Sequence, residues 1–324
     1  MNHHVLVTGI GGNVGQGIIR NLRAMNREIK IIGSNTKYLS SGNHLCDRVC
    51  LTPFATDSDY IQVIRKICED QSINLIIPST DYECYCLSIE LNRYSLPTVA
   101  TSPEKTNKVF LDKYRTSRFF DENDMPFAES FLPSQYGGEF EEVVVKPREG
   151  RGSRGIHFNP MNVGGFDDEY VVQKKYLGEE ITTSFYVTKS NDLHGFVTFL
   201  RELESGTTHL CEVTHVHDEQ ILEIIRGMMS RMEIRGSCNI QSIVTGEGRV
   251  VPFEVNGRIS GTNSIRSQFG FKDVQYTADE YLFNQEPEAV VLKRGSAVRV
   301  LMDVIYPDVG MGLIHNNKNV HYLF

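Results

Sequence analysis

The sequence predicts an α/β unit with a doubly wound parallel sheet over about residues 1–100, followed by a larger α+β unit. Three features predict it. Short apolar, β-branched runs at 4–10, 29–33 and 75–78 alternate with segments whose apolar residues recur at helical spacing. After Met125-Pro126 that alternation stops, and strands separated by loops take over. The length of 324 residues is enough for two domains at roughly 100–200 residues each.

Residues 4–10 (HVLVTGI) read as a buried parallel strand that runs into a glycine-rich turn. Ile18, Ile19, Leu22 and Met25 then follow helical spacing, and 29–33 is a second strand. Tyr60, Val63, Ile64, Ile67 and Cys68 mark an amphipathic helix, and 75–78 a third strand. Ser102-Pro103-Glu104 opens a long helix to about residue 123, with Ser102 placed to cap it and Pro103 in its first turn. Strands follow at 143–146, 170–173 and 182–187, a helix at 221–232, strands at 239–244 and 250–255, and a late strand at 297–305. The chain shows no internal repeat or low-complexity segment.

Hydrophobic residues make up 40% and charged residues 23%, a globular composition that excludes disorder as the main state. No apolar run approaches the ~18 residues of a membrane helix. The start, MNHHVLVTGIGG, enters a strand pattern at once and lacks the basic and apolar regions of a signal peptide. The net charge of −8, from 33 Lys+Arg against 41 Asp+Glu, argues against wide contact with nucleic acid. Seven cysteines at irregular spacing, without paired CxxC motifs, predict buried, reduced thiols in a cytoplasmic protein rather than a zinc site.

Three motifs bear on chemistry. Thr8-Gly9-Ile10-Gly11-Gly12-Asn13-Val14-Gly15 fits TGxxGxxG, a turn that lets helix-start amides approach a pyrophosphate, as in NAD-dependent sugar-nucleotide oxidoreductases. The second strand ends in Gly33-Ser34-Asn35, without the acidic ribose ligand of such enzymes. The Tyr-xxx-Lys match, Tyr170 to Lys174, falls on a strand rather than a helix. The plainer reading is tight strand–helix packing. The second motif is 143–147 (VVVKP) followed by Arg148-Glu149-Gly150-Arg151-Gly152-Ser153-Arg154-Gly155, a strand-end lysine before a flexible cationic loop suited to phosphate. In the third, Glu254 and Asn256 lie two apart and share one strand face, with Arg258 beyond them and Gln241 on a partner strand. Oxygen ligands with one carboxylate suit Mg²⁺ (or Mn²⁺) held partly by substrate phosphates.

With these segments in order, the chain resembles the ATP-grasp superfamily, in the branch related to the carbamoyl-phosphate synthase large subunit and the pyrrolysine-pathway ligase. The resemblance implies a Rossmann-like pre-ATP-grasp domain over 1–101, which usually binds no dinucleotide, and a two-lobed ATP-grasp fold over 102–324. The nucleotide-clamping lobe would be about 126–174 and the metal and substrate lobe about 175–324. It implies ATP contacts from Lys113, Lys146, the loop residues Gly152, Ser153, Arg154 and Gly155, the hinge residues Gln173, Lys174 and Tyr176, and Glu180 toward the ribose. It implies metal ligands Gln241, Glu254 and Asn256, and Arg258 as the catalytic arginine. The family's Asn-Pro-Arg stands here as Asn256-Gly257-Arg258.

The activity implied is an ATP-dependent carboxylate–amine or carboxylate–ammonia ligation through an acyl phosphate. Its partners would be small-molecule carboxylate and amine substrates, with no nucleic acid and no membrane, and a homodimer is compatible. A phosphotransferase that stops at a phosphorylated product, the NAD-dependent oxidoreductase, and a non-catalytic nucleotide-binding subunit stand as alternatives. The hydroxyl-rich stretch after Arg258 offers Ser260, Thr262 and Arg266 to a substrate. His215 and His217, on one face of an alternating strand, and Asp81 and Glu83, placed to meet an amine, have open roles.

Overall fold

The computed structural model describes residues 3–90, 96–150 and 154–324. Its first elements are β1 (His3–Val7), α1 (Asn13–Ala24), β2 (Ile29–Asn35), β3 (Arg48–Leu51), α2 (Tyr60–Gln71), β4 (Leu75–Ile77), α3 (Asp81–Glu90) and β5 (Thr98–Val99). The five strands form one parallel sheet in the order β3-β2-β1-β4-β5. Alternate residues feed opposite faces: Val5 and Val7 join Ile18, Ile19 and Leu22 of α1, while Leu6 joins Tyr60 and Ile64 of α2. The strand order reverses between β1 and β4, so a crevice opens outside their carboxyl ends.

The single helix expected over 102–123 is two, α4 (Glu104–Leu111) and α5 (Lys113–Asp121). Asp112 between them is extended, at φ −105° and ψ 112°, and its carboxylate accepts hydrogen bonds from the amides of Tyr114 and Arg115. The chain breaks there because Asp112 caps a new helix instead of continuing the old one. Ser102 caps nothing: its hydroxyl exchanges hydrogen bonds with the backbone of Arg235, and Pro103 takes the N-cap position of α4.

A four-stranded antiparallel sheet follows, from β6 (Ser130–Phe131), β7 (Val143–Pro147), β8 (His157–Phe158) and β9 (Tyr170–Lys174), in the order β6-β9-β7-β8. The remaining elements are β10 (Gly178–Val187), β11 (Leu193–Glu204), β12 (Thr207–Thr214), α6 (Asp218–Met229), β13 (Gly236–Thr245), β14 (Val250–Asn256), α7 (Asn263–Arg266), α8 (Asp273–Tyr281) and β15 (Ser296–Val298). They build a six-stranded antiparallel sheet, β14-β13-β10-β11-β12-β15. One face buries Ile181, Phe185, Ile240 and Val255 against Ile221, Ile224, Ile225 and Met228 of α6. The other face carries the polar residues described below.

The late strand expected at 297–305 is also divided. Residues 296–298 pair with β12, and then the chain leaves that sheet, so that β16 (Val304–Ile305) pairs with β17 (Tyr322–Leu323). Arg299 marks the departure by donating to the Gly261 carbonyl at 2.7 Å. The two halves of the chain share a core, since Ile259, Val274 and Ala278 pack with Val5, Val7 and α1. Among the described residues no helix is long and apolar enough to cross a membrane.

Candidate active site

The six-stranded sheet presents a row of polar side chains because its strands alternate faces. In register, Gln241 lies opposite Glu254, and Asn239 opposite Asn256. Thr182 and Ser184 of β10 donate to the Asn239 side-chain oxygen at 3.0 and 3.1 Å. Facing this row are Lys146 from β7 and Lys113, the first residue of α5. The third wall is the crevice at the ends of β1 and β4, with Gly9, Asn13, Ser79, Thr80 and Asp81. Together they enclose a cleft of about 630 Å³.

Charge is concentrated there. Lys146 is buried, its ammonium donates to the Phe253 carbonyl at 3.3 Å, and it lies 5.2 Å from the centre of the Phe253 ring. Burial pulls its pKa down from 10.5 to about 8, although Glu254 pulls the other way. Burial alone would raise the Glu254 carboxyl, but the charges of Lys113, Lys146 and Arg258 outweigh it and hold Glu254 below the usual carboxylate range. The site therefore keeps an anion among cations. Lys113 donates to the Gly150 carbonyl at 3.3 Å, at the base of the cationic loop. Arg148 anchors that base through a two-point pair with Asp112, at 3.2 and 2.5 Å.

Arg258 extends from β14 toward the parallel sheet. Its Nε donates to Asp81 Oδ2 at 2.8 Å, and its Nη2 to Asn256 Oδ1 at 2.8 Å. The other Asp81 oxygen is buried without a hydrogen-bond partner among the described residues. Glycine rather than proline at 257 follows from packing: a Cβ there would lie 3.0 Å from Phe110 and 3.2 Å from Asn107 Oδ1.

The donor set fits a divalent cation bound together with phosphates. Glu254 supplies one ionised carboxylate, with Asn256 beside it on the same face. Among the described residues no group of three or more His, Cys, Asp and Glu converges on a metal position, so phosphate oxygens would have to complete the shell.

Other expected residues sit differently. Gly152 and Ser153 lie outside the described residues; Arg154 lines the cleft, and Gly155 follows it in the left-handed region at φ +68°. Gln173, Lys174 and Tyr176 are not among the cleft-lining residues. Gln173 donates to Ser130 Oγ at 3.1 Å, and Lys174 and Tyr176 both reach Glu129. Glu180 reaches the cleft only through Arg201, with which it forms an ion pair. Ser260 and Thr262 line the cleft, but Arg266 does not. It is fully buried, paired with Asp273 at 2.5 Å, and donates to the Ser260 and Thr262 hydroxyls at 2.8 Å, so it positions them rather than a substrate.

His215 and His217 do not share a strand face, because β12 ends at Thr214; His215 bonds Asp218 at 2.9 Å, and His217 precedes α6. Of the acidic pair only Asp81 reaches the cleft. Glu83 is buried among the hydroxyls of Thr8 and Thr80, at 2.7 and 2.8 Å. Within the glycine turn Gly15 serves packing, since a Cβ on it would lie 2.7 Å from the Gly9 carbonyl, while Gly9, Gly12 and Asn13 line the cleft. The start of α1 is docked by Asn263, whose side chain donates to the Val14 carbonyl at 3.2 Å.

The sequence reading missed Arg201. Its one signal was a charge on the same strand face as Phe199, in an otherwise apolar run.

No curated protein matches the sequence. Residues 5–96 match the PylC-like N-terminal domain and residues 110–262 the ATP-grasp domain. N5-carboxyaminoimidazole synthetase from Staphylococcus aureus, solved with ADP, aligns with a TM-score of 0.76 at 11% identity, over 93% of this chain and 83% of that one. The biotin carboxylase domain of Hydrogenobacter thermophilus 2-oxoglutarate carboxylase aligns at 0.69 and 12%, over 88% and 71%. The L-amino acid ligase from Bacillus licheniformis aligns at 0.66 and 13%, over 87% and 74%. At these identities the likeness is one of fold.

Proposed function

The chain belongs to the ATP-grasp superfamily, and from that premise we propose that it is an ATP-dependent carboxylate–amine (or carboxylate–ammonia) ligase acting on small metabolites through an acyl phosphate. The observation that carries this reading is one cleft in which Lys113, Lys146 and Arg154 face Glu254, Asn256 and Arg258. ATP as the nucleotide is further supported by the ADP in a similar structure.

In this reading Lys113 and Lys146 would hold the triphosphate, and Glu254, with Asn256 beside it, would hold Mg²⁺ or Mn²⁺. The cation, when bound, neutralises charge on the phosphate oxygens. The γ-phosphoryl passes to the substrate carboxylate, giving an acyl phosphate and ADP. The amine then attacks the acyl carbon: the C–N bond forms, the C–O bond to phosphate breaks, phosphate leaves with the electron pair, and the amine gives up a proton. Arg258, held by Asp81 and Asn256, faces the negative charge that develops on the acyl group. Gly150 and Arg154, which line the cleft, would stand beside the phosphates, and exclusion of water there would protect the intermediate.

The crevice of the parallel sheet and the Ser260–Thr262 turn would receive the substrates. Residues 1–101 and 102–324 would be the two domains, with the clamping lobe at about 126–174. Seven free cysteines and the need for ATP suit the cytoplasm.

A screen of carboxylates paired with amines tests the proposal by following ADP and inorganic phosphate. The expected result is equal release of both, only when an active pair is present. A stable phosphorylated product without free phosphate would replace the ligase by a phosphotransferase. Binding of NAD in place of Mg-ATP would overturn the reading altogether.

A further inference from the structure

We propose that Arg201 is a phosphate contact standing where a second divalent cation would otherwise sit, so that this site takes one divalent cation per nucleotide. The inference rests on the reading of the cleft as an ATP site. Arg201 projects from β11 into the cleft with its side chain only 10% exposed. Its Nη2 donates to Gln241 Oε1 at 2.6 Å, and its Nε to Glu180 Oε1 at 2.9 Å. Its Nη1 has no hydrogen-bond partner among the described residues. The guanidinium is thus fixed on two sides and left with donors to spare, the arrangement that suits an arginine to phosphate.

The same contacts remove Gln241 from the metal site. Its amide oxygen already accepts from a guanidinium, as Asn256 Oδ1 accepts from Arg258, so among these three expected ligands Glu254 is the one whose oxygens no described arginine holds. The two carboxylates that line the cleft are Glu254 and Asp81, and Asp81 is committed to Arg258. Glu254 alone remains, opposite Gln241 in register. One carboxylate with phosphate oxygens is enough for a single Mg²⁺, which keeps its other positions for water. Arg201 occupies that place with a cation from the protein, balanced on one side by Glu180.

Manganese counting tests this without knowledge of the substrates. The intact protein is saturated with a non-hydrolysable β,γ-imido ATP analogue and titrated with Mn²⁺, free Mn²⁺ being read by electron paramagnetic resonance. One protein-bound Mn²⁺ per bound nucleotide is expected. Arg201→Met should weaken binding of the analogue about tenfold or more, and Arg201→Lys by less. The double variant Arg201→Met with Gln241→Glu, which removes the guanidinium and adds a carboxylate, should take two Mn²⁺. Two Mn²⁺ on the wild type, or unchanged analogue affinity in folded Arg201→Met, overturns the proposal while leaving the ATP site standing. Failure of the wild type to bind the analogue overturns both.

Discussion

Replacing Lys146 by methionine should stabilise the empty protein while crippling nucleotide binding. The ammonium is buried between two sheets, and burial lowers its pKa from 10.5 to about 8. That displacement corresponds to roughly 3 kcal/mol at about 1.4 kcal/mol per pH unit. Glu254 loses a neighbouring charge in the variant, which offsets part of the gain, so about 1–2 kcal/mol of net stabilisation at pH 7 is expected. The sign follows from proton uptake. Below pH 8 both folded and unfolded chains carry the charged lysine, and the folded protein bears the full burial cost. Between pH 8 and 10.5 the unfolded chain binds more protons, so the stability of the wild type rises with pH and the gap to the variant closes. Urea unfolding at pH 7 and pH 10 measures the gap, and calorimetry with Mg-ADP measures the loss of affinity. A variant less stable than wild type at pH 7, or a gap that widens with pH, would refute the reasoning.

Glu254→Ala should lower ATP turnover at least about a hundredfold with an unchanged circular dichroism spectrum, since it removes the ionised carboxylate of the metal site. Asp81→Asn keeps an acceptor for Arg258 but loses its charge; kcat should fall about tenfold while the dissociation constant for Mg-ADP, read by calorimetry, stays within about twofold. Asp273→Asn leaves Arg266 fully buried without its counter-charge, and denaturant melts should show a loss of about 3–5 kcal/mol. Gly257→Ala pushes a methyl toward Phe110 and Asn107 and should cost about 1–3 kcal/mol in the same assay.

Much of this site was legible because its signals are local. The run VVVKP predicts a strand ending at a lysine, and Glu254 and Asn256 sit two apart on a strand, so period-two geometry alone puts them on one face. The parallel sheet was legible for the same reason, in its β-branched runs. What could not be read depends on distant partners. Asp112 looks like an ordinary helical residue until Arg148 and the amides of α5 meet it. Arg266 looks like a ligand residue until Asp273 closes over it. Arg201 acquires meaning only where β11, β10 and β13 bring it to Glu180 and Gln241. The helix α3 escaped notice because it packs against both α2 and α4, which spreads its apolar residues around its circumference.

The acyl phosphate is the centre of the account, and oxygen transfer tests it most directly. With a carboxylate–amine pair that elicits ADP release, the carboxylate is labelled with ¹⁸O and the inorganic phosphate is examined by mass spectrometry. One ¹⁸O in each phosphate released is the predicted result, because phosphate departs with an oxygen that came from the carboxylate. Amide formation accompanied by unlabelled phosphate would contradict the mechanism.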